Sequence, residues 1–313
     1  MKTNTIVTCG DINYLWGLFL LIASMRKSGM REKVLVGTRK FDARAEKVLK
    51  QFGDVELTSV EENGYSLTCM KANVMLRAKT EIVTWADSDA LFTGNCSDYL
   101  APLHEHEIHV RRRSAAEMPG AFPAKYDRAA ILDTWRRDIA ALGPAKPREA
   151  VKTEDFRSCS ACFCSVARDE ELFLRTWDRL MMTALPAHNV GVVDKSLKFY
   201  HQLDESCLNA TLEFLDGAPR VSDIYRLDKD KAAHFVHFIG RTKPWVAWVR
   251  RAARSIDVTC DIVDWAINEK LELPGPVPFA LKSEHKALCR RLAPATELYF
   301  KARRKICSLI KGS

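Results

Sequence analysis

Short apolar segments rich in β-branched residues alternate with longer amphipathic segments in the first third of the chain. The pattern predicts strands at Thr5–Thr8, Lys33–Gly37, Val55–Ser59 and 81–86. It predicts helices between them, at about Asn13–Lys27, Ala43–Gln51 and Lys71–Lys79. Strands that alternate with helices favour a mainly parallel, doubly wound α/β sheet, which binds ligands at the carboxyl ends of its strands.

The rest of the chain is less regular and ends in a stretch of different character. Further elements are predicted at Arg128–Ala141, Ser160–Val166, Glu170–Met182, within Lys198–Leu215 and at Ala232–Phe238. The segment from about 99 to 158 is otherwise hard to assign. Beyond Pro244 we expect helical segments at 245–270 and a proline-rich hinge at 274–278, followed by a basic tail.

The strand Ile82–Ala86 ends in two carboxylates, Asp87 and Asp89, which are one residue apart. In extended backbone, residues i and i+2 project to the same side, so the two carboxylates converge. Buried carboxylates need partners, and a divalent cation shared with a substrate diphosphate is a suitable one. The tripeptide alone also occurs in turns and calcium loops. Its position at a strand end, like that of Asp11 after the first strand, favours a metal site.

Composition narrows the class of protein. At 313 residues and 47% hydrophobic, the chain can bury one large α/β core or two small ones. Its ten cysteines are scattered rather than arranged as a disulfide framework, which favours a reduced, cytoplasmic protein. The apolar stretch Tyr14–Met25 follows Asp11 and Asn13 and is too short to span a bilayer, so we expect it to be a helix of the α/β unit.

The positive charge is concentrated at one end. The formal net charge is +8, and residues 282–313 contain nine Lys or Arg against two Glu. A uniformly basic chain would suggest nucleic acid, which we do not expect as a partner, whereas a basic tail on a neutral body suggests attachment to a surface. Apolar residues recur every four positions in this tail, at Leu298, Ala302, Ile306 and Ile310. Such a helix suits an anionic membrane; the alternative is a terminal helix packed on the body.

The segment His237–Trp245 fits the pattern His-Phe-x-Gly-x-x-Lys-Pro-Trp. Together with Asp87-Ser88-Asp89 and the first strand and turn at Ile6–Tyr14, it resembles the retaining GT-A glycosyltransferases of family 8. That family includes glycogenin and bacterial lipopolysaccharide galactosyltransferases and glucosyltransferases. The resemblance covers about 5–28, 66–96, 200–212 and 234–246, and it is weak between 100 and 158.

The resemblance implies a GT-A fold, in which helices flank a mixed sheet. It implies a glycosyltransferase domain at 1–245, with a nucleotide-binding half at 1–100 and an acceptor half at 101–245, and a helical basic C-terminal extension at 246–313. The implied function is a metal-dependent hexosyltransferase that uses UDP-glucose or UDP-galactose and a glycan or glycolipid acceptor, in bacterial cell-surface polysaccharide or lipopolysaccharide synthesis. The expected location is the cytoplasm or the inner face of the plasma membrane. Alternatives are a glycogenin-like self-glucosylating enzyme and a non-catalytic basic membrane- or nucleic-acid-binding protein.

The resemblance assigns the donor nucleotide to the first turn. Asp11 would accept the uracil N3–H, Tyr14 would stack on the base, and Asn13 would touch the ribose or the base. From the residues alone, Asp11 could instead cap the following helix, and Tyr14 could pack in the core. Ser88, between the two acids, is also assigned to donor binding.

The resemblance gives the metal a third protein ligand, His237, beside Asp87 and Asp89. An imidazole favours Mn²⁺ over Mg²⁺, which prefers oxygen ligands. The alternative for His237 is a hydrogen-bonded core histidine. Gly240 would let the backbone approach a phosphate, and Lys243 would pair with that phosphate as a point charge.

Two further positions concern the sugar. Lys71 resembles the family's basic residue before the metal motif, near phosphate or sugar, although it could be a solvated helix lysine. The segment Leu203–Asn209 resembles the family's Asp-Gln-Asp-x-Leu-Asn. Asp204 takes the position that binds donor-sugar hydroxyls, and Glu205 replaces a glutamine beside the anomeric carbon. Glu205 could be a nucleophile, could stabilise an oxocarbenium ion, or could be a surface residue.

Two motifs have the residue types of zinc sites, but we do not interpret them as such. The C-x-x-C-x-C motif at 159–164 lies in an apolar strand and lacks an evident fourth ligand. The H-x-H-x-x-H motif at 104–109 alternates with acidic residues, as in an exposed strand or loop. In the family, the cysteine-rich strand borders the acceptor site, where Ser160 is a candidate sugar contact.

Overall fold

A computed structural model describes residues 2–61, 64–102, 104–123, 125–143, 147–149, 152–187, 196–223, 234–240 and 242–311, the last five as backbone only. The strands are β1 Asn4–Asp11, β2 Lys33–Arg39, β3 Val55–Ser59, β4 Ile82–Ala86, β5 Ala90–Phe92, β6 Glu107–Arg112, β7 Cys159–Ala167, β8 Arg220–Asp223 and β9 Phe235–His237. The helices are α1 Leu15–Lys27, α2 Ala43–Lys50, α3 Lys71–Met75, α4 Ser97–Leu100, α5 Met118–Ala121, α6 Arg128–Leu142, α7 Glu171–Ala184, α8 Asp204–Phe214, α9 Ile256–Asn268 and α10 Lys286–Lys311. The part of the predicted strand Ala232–Phe238 before 234 lies outside the described residues.

Among the described residues, the main sheet has seven strands in the order β3-β2-β1-β4-β7-β6-β8. β1 to β4 are parallel, which confirms the prediction for the first half of the chain. β7 is antiparallel to both β4 and β6, and the other six strands of this sheet run in one direction, so the sheet is mixed and mainly parallel, as expected. The reason for the antiparallel strand is topological: the connection after β6 returns at the edge where β6 and β4 end, and β7 therefore runs back from that edge.

Side chains on the two faces of the sheet belong to two separate cores. The successive β1 residues Ile6 and Val7 are both fully buried, but they lie in opposite cores, as the alternation of a strand requires. One core is closed by α1, α2 and α9, and the other by α3, α6, α7 and α8. Because both faces are covered, the central strands are almost continuously apolar.

The helical extension does not stand apart from the sheet. α9 packs against α1 in the same core, where Ile256 and Val263 are buried. Residues 245–251 form turns rather than the predicted helix. In those turns the Trp248 side chain is buried, and its Nε1–H donates to the Ala280 carbonyl at 2.6 Å, which fixes the segment to the loop after α9.

The C-terminal helix α10 contacts the body through its first turns. Lys286 and Arg290 form ion pairs with α9. Further along, Leu298, Tyr299 and Ile306 are each more than half exposed. The alternative of a terminal helix packed on the body is therefore wrong for this part of α10, because its apolar stripe faces solvent. Among the described residues, no helix combines the length and the apolarity that crossing a bilayer requires.

The first helix approaches the turn after β4 at a glycine. A Cβ atom on Gly17 would lie 2.4 Å from the carbonyl oxygen of Ser88 and 2.6 Å from the ring of Trp245. A larger residue therefore requires that the helix or the turn move. Gly17 thus sets the distance between α1 and the turn that carries Asp87 and Asp89.

We expect Gly17→Val to lower the free energy of unfolding by about 1–3 kcal/mol, the usual cost of overpacking a well-packed core. Gly120→Val is the matched control, because a Cβ there meets no atom within 4 Å. Urea denaturation measures both. Equal stability of the two variants would contradict the close approach of α1 to this turn.

Candidate functional site

The carboxyl end of β4 meets β7 and β9. The Asp87 N–H donates to the Cys162 carbonyl and the Ala90 N–H donates to the Asp87 carbonyl, both at 3.0 Å. The acidic pair therefore lies in a tight turn rather than in the extended backbone expected from the sequence. β5 follows this turn and pairs antiparallel with β9, with Ala90 opposite His237. The pairing carries His237 to Asp87 and Asp89 from a distant part of the chain.

The three predicted metal ligands converge. His237 Nε2 lies 3.5 Å from Asp87 Oδ2 and 3.2 Å from Asp89 Oδ1. One ligand atom from each of the three residues lies within 4.8 Å of the other two, and no other such group of three or more His, Cys, Asp or Glu occurs among the described residues. Two carboxylate oxygens and one imidazole nitrogen suit Mn²⁺ better than Mg²⁺. The residues present therefore fit a divalent cation.

Each of the two carboxylates has one oxygen paired with its own buried lysine. Lys71 Nζ donates to Asp87 Oδ1 at 2.7 Å, and Lys243 Nζ forms an ion pair with Asp89 Oδ2. The oxygens that remain, Asp87 Oδ2 and Asp89 Oδ1, are the two that face His237. Each lysine thus orients its carboxylate so that the second oxygen points toward the position a metal would take.

Because the charged side chains at this turn are buried, the protonation state of each depends on its charged neighbours. Burial alone would raise the pKa of Asp89, but His237 and Lys243 hold it well below its usual range. Burial likewise disfavours the charged form of Lys71, whose pKa is nevertheless raised by the neighbouring Asp204 carboxylate. Asp89 is therefore ionised and Lys71 protonated at neutral pH, so the site presents an anionic oxygen to a cation.

Lys71 is buried, so the alternative of a solvated helix lysine is wrong. It is 4% exposed, because the first turn of α3 points it into the space between β4 and α8. Besides Asp87, its ammonium group contacts Asp204 Oδ2 at 2.8 Å and the Ala161 carbonyl at 2.9 Å. Burial raises the pKa of Asp204 to about 6, against the attraction of Lys71. One lysine therefore joins the predicted metal ligand to the predicted sugar-binding residue.

The start of α8 places Asp204 and Glu205 at the same edge of the sheet. Leu203, the residue before them, has φ 56° and ψ −122°, a conformation that L-residues rarely adopt and that is typical of functional sites. The alternative that Glu205 is a surface residue is wrong, because its side chain is only 14% exposed and is paired with Arg113. Sequence reasoning did not identify Arg113. It follows β6 in the segment that the sequence left unassigned.

The first turn has the local structure of the alternative in which Asp11 caps the helix that follows. Asp11 Oδ1 accepts a hydrogen bond from the Asn13 N–H at 2.9 Å and caps a short 3-10 turn at Ile12–Tyr14. The Tyr14 ring lies edge-on to Trp245, with centroids 5.8 Å apart. Burial, with the nearby carboxylates of Asp89, Asp11 and Asp87, raises the pKa of Tyr14 to about 12. Contact of these residues with a base stays a prediction.

Three further residues are predicted to contact the donor or the acceptor, namely Gly240, Ser88 and Ser160, and those contacts stay predictions. Gly240 has φ 106°, a backbone conformation that favours glycine. A Cβ there would meet no atom within 4 Å, so the conformation rather than crowding explains the glycine. The Ser88 carbonyl packs against α1. Ser160 is buried on β7, where its hydroxyl contacts Cys162 Sγ at 3.4 Å.

Neither zinc-like motif forms a converging ligand set within the described part of the chain. The described cysteines are free. In the histidine motif, Glu107 and His109 are buried, which corrects the expectation of an exposed strand or loop. Burial is possible because Glu107 pairs with Arg220 at 2.6 Å and His109 Nδ1 lies 3.0 Å from the Tyr99 carbonyl.

Comparison with known proteins gives a partial likeness of fold. No protein-family model matches the chain, and no curated protein matches it in sequence. The bifunctional glycosyltransferase WbbM superposes with a TM-score of 0.49 and 14% identity over 78% of this chain and 47% of that one, so the chain spans about half of WbbM. The galactosyltransferase LgtC, in complex with donor and acceptor sugar analogues, superposes with a TM-score of 0.44 and 12% identity over 77% of this chain and 89% of its own. An active-site glutamine-to-glutamate mutant of LgtC gives a TM-score of 0.44 and 14% identity over the same shares. These three TM-scores are below 0.5, so the likeness is one of fold.

Lys71→Met keeps the length of the side chain but leaves Asp87 and Asp204 without their shared cation. Breaking a buried ion pair from one side costs about 3–5 kcal/mol, and we expect a loss of that order in the free energy of unfolding. The control is Lys50→Met, which removes an exposed pair with Glu46 worth about 0.3–0.5 kcal/mol. Urea denaturation compares the two. A loss in Lys71→Met as small as in the control would contradict this account of the site.

Proposed function

We propose that this protein is a metal-dependent, retaining GT-A hexosyltransferase. It moves glucose or galactose from a UDP-sugar to a hydroxyl of a glycan or glycolipid in bacterial cell-surface polysaccharide synthesis. One observation carries the proposal: Asp87, Asp89 and His237 converge at the carboxyl end of a central strand, with a lysine on each carboxylate. The same residues lie in the motifs that resemble family 8, which supports the choice of donor.

On the donor side, Asp87, Asp89 and His237 would hold a divalent cation. Such a cation would supply positive charge against the donor diphosphate and the UDP leaving group. Lys243 Nζ donates to Asp89 and to the Phe238 carbonyl, and among the described residues its third N–H has no partner. That N–H is available to a phosphate oxygen.

On the sugar side, Lys71 acts through other residues. Its three N–H groups are engaged by Asp87, Asp204 and the Ala161 carbonyl. Lys71 therefore positions the two carboxylates, while Asp204 accepts hydrogen bonds from donor-sugar hydroxyls. The remaining assignments to the donor are Asp11, Asn13, Tyr14, Ser88 and Gly240.

Asp89→Asn removes the charge of one ligand at nearly constant shape. We expect UDP and Mn²⁺ together to raise the melting temperature of the wild type but not of this variant. UDP release from UDP-glucose or UDP-galactose should fall by about 100-fold or more, since a bound metal supplies several kcal/mol of charge stabilisation. Asp133→Asn, at an exposed acid on α6, is the matched control and should behave as wild type.

Three results would count against this function. They are unchanged UDP release in Asp89→Asn, no thermal stabilisation of the wild type by UDP with Mn²⁺, and a product of inverted anomeric configuration by NMR.

We further propose that α10 attaches the enzyme to an anionic membrane. Leu298, Tyr299 and Ile306 share one exposed face of the helix because they are spaced by one, seven and eight residues. Arg303 and Lys305 lie along the borders of that face and are exposed as well. An apolar stripe with basic borders suits the interface of a bilayer that contains anionic lipids.

We expect the wild type to sediment with vesicles of phosphatidylglycerol and phosphatidylcholine, less so at high salt, and not with phosphatidylcholine alone. The double variant Leu298→Glu/Ile306→Glu should bind at least about 10-fold more weakly, because each buried apolar side chain contributes about 1.5–3 kcal/mol. Ile267→Glu, at a comparably exposed position on α9, is the control. Equal sedimentation of the control and the double variant would exclude attachment through α10.

A further inference from the structure

The Arg113 guanidinium contacts both oxygens of the Glu205 carboxylate. Its Nη1 lies 2.8 Å from Glu205 Oε1, and its Nη2 donates to Oε2 at 2.9 Å. The two side chains are 15% and 14% exposed. The Nη2 contact is a hydrogen bond and the Nη1 contact is an ion pair, so the guanidinium meets both oxygens and fixes the orientation of the carboxylate.

Both partners of this pair are themselves held by the start of β7. Arg113 donates from Nη1 to the Ser158 hydroxyl at 3.0 Å and to the Cys159 carbonyl at 3.3 Å. On the other side, Asn209 lies one helical turn after Glu205. Its amide donates to the Glu205 carbonyl at 2.7 Å and to the Cys159 carbonyl at 2.9 Å. Arg113 therefore cannot turn away without breaking its contacts with β7, and Asn209 ties the backbone that carries Glu205 to the same strand.

The pair is connected to the candidate metal site through a single residue of β7. The Ala161 N–H donates to Glu205 Oε2 at 3.4 Å, and the Ala161 carbonyl accepts from Lys71. Lys71 in turn contacts Asp87 and Asp204. Glu205 therefore lies at the same edge as the ligands, next to the predicted sugar-binding carboxylate.

We propose that Arg113 is a positioning residue that holds Glu205 as a fixed hydrogen-bond acceptor for the donor sugar. The guanidinium and the Ala161 N–H both donate to Oε2, whereas Oε1 is buried and accepts no hydrogen bond from the described residues. Oε1 is therefore the oxygen that Glu205 offers to a hydroxyl of the donor sugar. This inference rests on the proposed function. It adds a residue that the family-like motifs do not contain.

The test compares Arg113→Gln, Arg113→Lys, Glu205→Gln and the double variant Arg113→Gln/Glu205→Gln with wild type. We expect kcat to fall by about 10–100-fold in Arg113→Gln, as is usual when a supporting residue is lost, while the affinity for UDP with Mn²⁺ stays the same. Arg113→Lys should recover only part of this loss, because an ammonium lacks the planar fork that meets both oxygens. The double variant should lose no more activity than Arg113→Gln and should melt at a higher temperature, because it no longer buries an unpaired carboxylate.

The control is Arg111→Gln, which breaks a comparably buried ion pair with Glu117 two residues earlier on β6. It should lower stability without lowering kcat. The inference is overturned if Arg113→Gln keeps wild-type kcat, if its loss merely follows stability as in Arg111→Gln, or if the losses of the two single variants add. It is also overturned if intact-mass analysis of the wild type with donor alone shows one hexose on Glu205. Failure of the wild type to bind UDP with Mn²⁺ would instead remove the proposed function itself.

Discussion

Buried negative charge at the carboxyl end of β4 is the constraint on which the rest of this edge depends. Asp89 and Asp204 are each less than one-tenth exposed, and carboxylates in such surroundings are costly unless cations or N–H groups compensate them. Lys71 and Lys243 provide that compensation, although they are far apart in the sequence. Each leaves one oxygen of the acidic pair turned toward His237. The contacts that make burial tolerable therefore also prepare a ligand set.

The topology of the sheet brings the remaining groups to the same place. β4 and β6 end at one edge, and β7 starts there, so the residue after β6 and the first residues of β7 are neighbours. The strained Leu203 starts α8 at this edge as well. As a result, Arg113 and Glu205, 92 residues apart in the chain, form an ion pair beside the acidic turn. An antiparallel strand in a mostly parallel sheet thus has a direct consequence for the site.

Sequence patterns could predict the parts of this arrangement that depend on local order. The parallel first half follows from alternating strands and helices, and Asp87, Asp89 and His237 follow from two motifs of fixed spacing. The burial of Lys71 could not be predicted, because a single lysine near a helix start does not reveal which side of that helix is covered. The pairing of Arg113 was equally hidden, since it depends on the direction of β7 and on a segment with no clear periodicity.

The central claim is that the two inner carboxylate oxygens and the His237 imidazole bind one divalent cation. Electron paramagnetic resonance of Mn²⁺ added to the wild type, with UDP present, tests this most directly. The account predicts one bound Mn²⁺ per chain and a nitrogen coupling from the imidazole that disappears in His237→Gln. Mn²⁺ that binds equally well after Asp87 and Asp89 are both changed to Asn, or that shows no nitrogen coupling in the wild type, would contradict it.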